Sequence, residues 1–253
     1  MLNLGLEFTK LKRRSFLLSL IVIIIVELVW ISVVINHELA NTHEAYNAIF
    51  DMAYINDLIL PLFISVLASR LLEMEHLGKT FKLLQTSNES PWQLFKAKLI
   101  LMTIFTFVVS WLQTIFLKFI IQAAQVKVTP AQLSLSLLTT FLVCIFLSCL
   151  HLCLAFIYQK ASVTVVTGLI GSFLSFVGIS ALPLPIRFFV PWQYFSMMGI
   201  AKRITGAHTY LFQYDSSYPL KLVALLLIIL LAIFVSKKLI GKADLWRIYY
   251  DNI

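Results

Sequence analysis

Long apolar stretches, separated by shorter polar ones, follow one another along the entire chain. A helix of about 20 apolar residues crosses the hydrocarbon core of a bilayer, so each stretch of this length predicts a membrane span. The pattern predicts six spans, at about 16–35, 53–71, 99–121, 132–158, 161–182 and 220–236. We therefore expect an all-α membrane protein whose residues 1–253 form a single transmembrane domain.

The polar segments predict which ends of the spans face the cytoplasm. Most of the 20 lysines and arginines lie before the first span, between the second and third, between the fourth and fifth, or after the sixth. Cytoplasmic loops carry an excess of Lys and Arg, so both termini are expected inside. Residues 2–14 place Leu4, Phe8 and Leu11 on one helical face, which predicts an amphipathic helix at the inner membrane interface. The alternative is a loosely ordered basic tail.

The composition agrees with a membrane protein and changes how the net charge is interpreted. Hydrophobic residues make up 60 % of the chain, charged residues make up 13 %, and the mean hydropathy is +0.91. A soluble domain is nearer half apolar and about a quarter charged. The net charge of +8 is therefore expected to face anionic lipid headgroups, and not nucleic acid.

An aromatic, proline-containing region separates the fifth and sixth spans. Residues 183–219 include Pro183, Pro185 and Pro191, and their apolar runs are too short to cross a bilayer. Trp and Tyr favour the depth of the membrane interface. The pattern predicts a re-entrant segment on the outer side, before the last span.

The longest polar stretch, residues 72–98, lies between the second and third predicted spans and contains Gly78, Lys79 and Thr80. This tripeptide matches the end of a phosphate-binding loop. That motif requires a glycine at position 73 and a strand before it, whereas this chain has Glu73 after a predicted span. We therefore expect no nucleotide to bind here.

An amphipathic helix accounts better for the first part of this stretch. Met74, Leu77, Phe81 and Leu84 recur at helical spacing and form one apolar stripe. The pattern predicts either a solvated connector or a helix that offers a docking surface to a soluble partner.

A second helix is expected to begin inside the same stretch. Ser90 is followed by Pro91 at the first helical position and by Gln93 three residues after the serine. This order is typical of a capped helix start. We therefore expect a helix, a short break and a new helix that continues into the third span.

Glu27 lies near the middle of the first predicted span. A carboxylate at that depth normally faces a partner or a water-filled cavity. It could belong to a cargo path or gate, or it could make a structural hydrogen bond between helices.

Small residues form a stripe on the fifth predicted span. Gly168 and Ser172 are four residues apart, as are Gly171 and Ser175, and such pairs allow close helix approach. The stripe predicts either packing within the chain or an interface with another subunit.

Catalytic and metal-binding patterns are missing from the sequence. Cys149, His151 and Cys153 are close in sequence, but residue i+2 of a helix points away from residues i and i+4. No H-E-x-x-H motif is present, and Glu73 is separated from Glu75 by one residue, whereas some membrane proteases use an adjacent pair. We expect no catalytic, cofactor-binding or metal-binding residues in this chain.

Three sequence segments together resemble a permease subunit of an ABC exporter in the type-2 permease superfamily. They are LGLEFTKLKRRSF at the start, the stretch from Glu73-Met74-Glu75-His76 to Ser-Pro-Trp-Gln-Leu-Phe-Lys-Ala-Lys, and Pro-Trp-Gln-Tyr before the last span. Within the superfamily, the chain is most similar to the small permeases of lantibiotic-protection transporters.

The resemblance implies a function and partners for the chain. Such permeases lie in the bacterial plasma membrane, pair with a second and often different permease, and expel an antimicrobial peptide. A separate ATPase subunit binds ATP and Mg²⁺. Other cargoes, such as an antibiotic, a lipid or a polysaccharide, remain alternatives, as does a less favoured intramembrane enzyme.

The resemblance also implies roles for particular residues. The coupling helix that contacts the ATPase would lie around residues 73–82, and the residues expected to serve it are Glu73, Glu75, His76, Lys79 and Lys82. The first and fifth spans would face the partner permease, which suits the small-residue stripe.

Overall fold

The protein is described by a computed structural model that covers residues 16–42, 44–77, 90–158, 160–181, 183–205 and 210–242. This part of the chain is mostly helical, and six of its helices are long and apolar enough to cross a membrane, which confirms the predicted number of spans. These helices are α1 (Phe16–Thr42), α2 (Ala45–Leu77), α3 (Pro91–Ala123), α4 (Pro130–Ile157), α5 (Ala161–Ala181) and α8 (Tyr218–Lys242).

Several helices extend beyond the predicted spans. The first two spans were predicted at 16–35 and 53–71, but α1 continues to Thr42 and α2 already begins at Ala45. An apolar run marks only the part of a helix that lies in hydrocarbon, whereas intrahelical hydrogen bonds satisfy the backbone equally well beyond it.

Two helices begin with the same capping arrangement. The predicted start of α3 is confirmed: the Ser90 hydroxyl accepts a hydrogen bond from Gln93 N, and the Gln93 side chain accepts one from Ser90 N. Thr129 and Gln132 repeat the arrangement at α4, which we did not predict. Each cap stabilises its helix start by about 1 kcal/mol.

Helix α2 lies at the centre of the bundle and contacts α1, α3, α4 and α5. In its membrane-spanning window 72 % of the residues are buried, and in that of α4 67 %, against 22 % for α1 and 17 % for α8. The apolar residues that α1 and α8 leave exposed are suited to lipid contact.

The bundle has two ends, which we name by the features found there. At the loop end, α2 ends at Leu77, α3 begins at Pro91, and α4 and α5 are joined by a short turn. At the hairpin end, α2 begins, α3 and α4 are joined, and residues 183–205 and 210–217 pack against the helices.

The region between α5 and α8 also contains two short strands, which we did not predict. It contains short helices α6 (Leu184–Arg187) and α7 (Tyr194–Met197), a 3-10 turn (Pro191–Gln193) between them, and two antiparallel strands. Strands β1 (Ala201–Thr205) and β2 (Tyr210–Tyr214) form a hairpin in which Arg203 lies opposite Phe212. β-branched and aromatic residues such as Ile204 and Phe212 favour this structure, but the pattern is short and easily missed.

Aromatic contacts hold the hairpin against α2. Phe50 and Phe212 have ring centroids 5.4 Å apart, and Tyr46 and Tyr214 have centroids 6.4 Å apart. The Arg203 guanidinium lies over the Phe50 ring. The hairpin is therefore an integral part of this end of the bundle.

Two predicted features lie outside the described residues. They are the amphipathic helix at 2–14 and most of the polar stretch after Leu77, residues 78–89. The cytoplasmic position of both termini and the re-entrant path of residues 183–219 also stay predictions.

Candidate functional site

A buried ion pair joins the two helices that flank residues 78–89. Lys98 Nζ lies 2.8 Å from Glu75 Oε1, and the two side chains are 0 % and 2 % exposed. Glu75 lies at the end of α2 and Lys98 near the start of α3. Removing one partner of a buried pair is strongly destabilising, so this contact fixes the two helix ends relative to each other. We call it the Glu75–Lys98 clamp.

Aromatic packing also joins helices at the loop end. Trp92 stacks on Phe95 with centroids 5.2 Å apart, and Phe95 meets the edge of Phe156 at 5.5 Å. These residues connect the start of α3 to the end of α4. Ring pairs of this kind add about 0.5–1.5 kcal/mol beyond their area burial, so the loop end is rigid where α3 begins.

The predicted coupling residues differ in their exposure and in their ion-pair partners. Glu73 is partly exposed and forms an ion pair with Arg70 at 2.7 Å. Glu75, expected to contact the ATPase, has its carboxylate buried against Lys98. Its role in coupling stays a prediction. The His76 side chain and the whole of Lys79 and Lys82 lie outside the described residues.

A polar cluster crosses the middle of the bundle and includes Glu27. Gln113 exchanges two hydrogen bonds with Asn56, at 3.2 and 3.3 Å, and lies close to Glu27. All three side chains are at most 1 % exposed. Glu27 therefore faces the inside of its own chain, and its role in a cargo path or in a structural hydrogen bond stays a prediction. A direct contact with cargo would require this cluster to open.

The small residues of α5 face the interior of the chain. A side-chain carbon added at Gly168 would lie 2.2 Å from Ser65 Oγ on α2, and one added at Gly171 would lie 2.2 Å from the Trp192 ring. Ser172 and Ser175 are also buried. These residues therefore pack within the chain, and their part in an interface with another subunit stays a prediction.

The 3-10 turn before α7 is held by side chains from three helices. Trp192 Nε1 donates to His151 Nε2 at 3.1 Å, and Gln193 Nε2 donates to the Ser175 carbonyl at 2.7 Å. Arg187 Nε donates to Gln193 Oε1 at 3.2 Å. His151 was considered above only as a possible metal ligand. Its partner is 41 residues away, and no local pattern indicates such a contact.

Asp215 connects the hairpin to α8. Its carboxylate accepts hydrogen bonds from the backbone and hydroxyl of Ser217 and lies 2.7 Å from Lys221 Nζ. Lys221 also donates to the Met197 carbonyl at 2.6 Å. Burial alone would raise the pKa of Asp215, but the Lys221 and Ser217 contacts outweigh it and lower the pKa to about 2.

Replacing Asp215 by Asn is expected to lower stability at neutral pH and to matter little in acid. Because the pKa of the folded state lies below the ordinary value of 3.8, the carboxylate stabilises the fold by roughly 2 kcal/mol above about pH 4. This contribution is lost as the pH falls towards 2. Thermal unfolding of both proteins in detergent, from pH 7 to pH 2.5, measures it. A penalty that does not shrink with acid would contradict this assignment.

The described residues offer no constellation of three His, Cys, Asp or Glu side chains that could hold a metal ion. Cys149 lies 3.4 Å from Ser236 Oγ, whereas His151 turns to Trp192, so these two neighbours in sequence do not share a site. The features with a bearing on function are therefore the clamp, the central polar cluster and the segment packed at the hairpin end.

Comparison with known protein families gives one match. The model of the ABC-2 family transporter proteins matches residues 4–178, which is more than half of the chain and includes α1 to α4 and most of α5. Neither the curated proteins nor the solved structures contain a match to this chain.

Proposed function

The chain belongs to the ABC-2 transporter family, and from this premise we propose that it is the membrane subunit of an ATP-driven exporter. Membership makes it a multi-pass membrane permease of an ABC transporter, in bacteria a protein of the plasma membrane. The family is a family of transport subunits, which agrees with a chain that is not itself an enzyme. In our proposal, a separate ATPase subunit binds ATP and Mg²⁺ and docks at the loop end.

The observation that carries the coupling part of this proposal is the Glu75–Lys98 clamp. A loop that receives force from another protein transmits it only if its two ends are firmly attached to the helices that must move. The clamp and the adjacent aromatic packing provide that attachment. The partly exposed Arg70 and Glu73 lie beside it, at the surface.

Charge reversal at Glu73 is expected to weaken binding of the ATPase subunit. A surface ion pair is worth up to about 1 kcal/mol, so Glu73→Lys should reduce the co-purified ATPase roughly fivefold. The matched control is Glu44→Lys, which also reverses an exposed charge but lies at the hairpin end. Glu44 directly precedes Ala45, the first residue of α2, which is the helix that carries Glu73. Affinity purification in mild detergent measures both. Equal recovery of the ATPase with the two variants would refute docking at Glu73.

The proposed cargo is an antimicrobial peptide of the lantibiotic or bacteriocin type, exported for self-protection. Its support is the resemblance stated above together with the apolar faces of the outer helices. The exposed side of α1 presents Ile21, Val22, Ile25, Val26 and Val29. Such a face suits an amphipathic peptide that already lies in the membrane. An antibiotic, a lipid or a polysaccharide is the alternative cargo.

A second permease is proposed to pack on the outward side of α5. This side is apolar and carries Val166, Leu169, Ile170, Phe173, Leu174 and Val177. The opposite side of the helix is occupied by α2 and Trp192, so a partner would contact this exposed side and not the small residues.

Cells that express the permeases and the ATPase are expected to tolerate a higher concentration of the cargo peptide. We expect a clear rise in the inhibitory concentration of a lantibiotic, and no rise when the catalytic glutamate of the ATPase subunit is replaced. A rise for a lipid-like drug alone would favour the alternative cargo. A rise that persists with the inactive ATPase would contradict export driven by ATP.

A further inference from the structure

We propose that Asp57 is a latch that holds the 3-10 turn and α7 in the bundle, and that its release opens the hairpin end. Asp57 Oδ1 accepts hydrogen bonds from Phe195 N at 3.0 Å and from Ser196 N at 3.3 Å. These two amides lie in the first turn of α7. Asp57 itself is fully buried in α2.

The latched segment fills the space between three helices. Trp192 packs against Gly171 of α5 and bonds to His151 of α4, while Phe195 bonds to Asp57 of α2. Asp57 lies 12 residues after the start of α2, about 18 Å along the helix axis. The segment therefore reaches well into the bundle, and its withdrawal would separate α2, α4 and α5 at the hairpin end.

An aspartate is not the residue that static packing alone would require. Asparagine could accept the same two hydrogen bonds without the cost that an ionisable side chain carries at this depth. Arg187 is close enough to interact with Asp57 electrostatically. One carboxyl oxygen thus attaches two amides of α7 to α2.

The latch uses only one of the two oxygens of the Asp57 carboxyl group. Asp57 Oδ2 is buried without a hydrogen-bond partner among the described residues. A buried polar atom without a partner destabilises the state that buries it, and this cost is relieved when water reaches the atom. The contacts that hold the segment can therefore be exchanged for others at moderate cost.

Helix α2 lacks a backbone hydrogen bond at the carbonyl group of Asp57. Pro61 lies inside α2 and has no N–H to donate to the carbonyl four residues earlier, which is that of Asp57. A missing hydrogen bond of this kind is a common cause of helix bending. The hinge and the latch thus coincide, and Glu75 of the clamp lies 18 residues further along α2, about 27 Å away.

This arrangement gives Asp57 a role in a conformational change of the bundle. That the ATPase drives this change rests on the proposed function. Movement of the loop end, where we place the ATPase, would be carried along α2 to the Pro61 hinge. Bending there would pull Asp57 away from the two amides of α7. The segment would then leave the bundle and open the hairpin end.

The test is the reactivity of a cysteine placed at Ser196, which is 6 % exposed. Ser196→Cys in the purified complex in detergent is treated with a water-soluble maleimide, and protein without this substitution measures the reaction of the native cysteines. We expect Asp57→Ala to raise the labelling rate about tenfold or more, because both amide bonds are lost. Asp57→Asn, which keeps an acceptor, should raise it less and serves if Asp57→Ala does not fold.

The control for general loosening is Asn56→Ala, the adjacent buried residue, which bonds to Gln113 and not to the latched segment. Equal labelling rates in the Asp57 and Asn56 variants would overturn the latch. In a second arm, ATP with vanadate is added to the complex that carries Ser196→Cys alone. If ATP raises the labelling rate but the Asp57 substitutions do not, the latch is refuted and the exporter proposal stands. If the Asp57 substitutions raise the labelling rate but ATP does not, ATP-driven opening is refuted and the latch stands.

Discussion

Glu75→Leu is expected to destabilise the protein by about 3–5 kcal/mol, the largest loss that we expect from any single substitution at the loop end. The variant leaves the Lys98 ammonium at a position with 0 % exposure and without the Glu75 carboxylate 2.8 Å from its nitrogen. Placing a charge in an apolar core is costly unless an opposite charge compensates it.

The double variant Glu75→Leu/Lys98→Met should recover most of the lost stability. Replacing a buried ion pair by apolar residues of similar volume is often neutral or stabilising, because neither charge then has to be desolvated. Thermal or denaturant unfolding in detergent, followed by the loss of helical circular dichroism, compares the wild type, both single variants and the double variant. The clamp assignment fails if the double variant is as unstable as the sum of the two single ones.

The clamp variants also separate stability from coupling. If the pair serves only the fold, the double variant should export as much cargo for each ATP hydrolysed as the wild type. In our proposal the ion pair must hold the end of α2 and the start of α3 together during each transport cycle. The double variant should therefore export less cargo for each ATP hydrolysed than the wild type. Equal export per ATP would leave the clamp a purely structural role.

Gly171→Ala is the second substitution for which a large effect is expected. The added carbon would lie 2.2 to 2.6 Å from three atoms of the Trp192 ring system, far inside van der Waals contact. Because the ring is fixed by its hydrogen bond to His151, it must move as a whole. Overpacking of this kind costs about 1–3 kcal/mol, and Gly171→Leu should prevent correct packing of the segment altogether.

A matched control for Gly171 is available on α8. Gly241 has no atom within 4 Å of an added carbon, so Gly241→Ala should be neutral or stabilise its helix by up to about 1 kcal/mol. Unfolding in detergent measures both variants. Gly171→Ala should also cost less in a Trp192→Leu background, where the ring is absent. An equal cost in both backgrounds would show that the strain does not come from Trp192.

Local features of the sequence were sufficient to predict the parts of the fold that depend on local physics. The six spans follow from hydrophobic length, because about 20 apolar residues are needed to cross a bilayer whatever their partners are. The start of α3 follows from Ser90, Pro91 and Gln93, which make their bonds within one turn. The helix ends outside the hydrocarbon could not be predicted in this way, since polar residues also form helix there.

The sites depend on contacts between residues that are distant in the chain. Glu75 forms a buried ion pair with Lys98, which is 23 residues away in the sequence. The small residues of α5 have the spacing of a helix interface, but spacing cannot tell whether the neighbouring helix belongs to the same chain. Gly171 meets Trp192, and only the path of residues 183–193 brings that ring to α5.

Span length and helix caps are properties of short segments, and they were enough to predict a six-span membrane protein with a polar stretch after the second span. The contacts between the helices followed only from the way the chain packs. This packing brought Glu75 to Lys98, turned Glu27 towards Gln113 and placed Asp57 beneath the amides of α7. Buried polar groups must find partners, and which groups are within reach depends on how the helices pack.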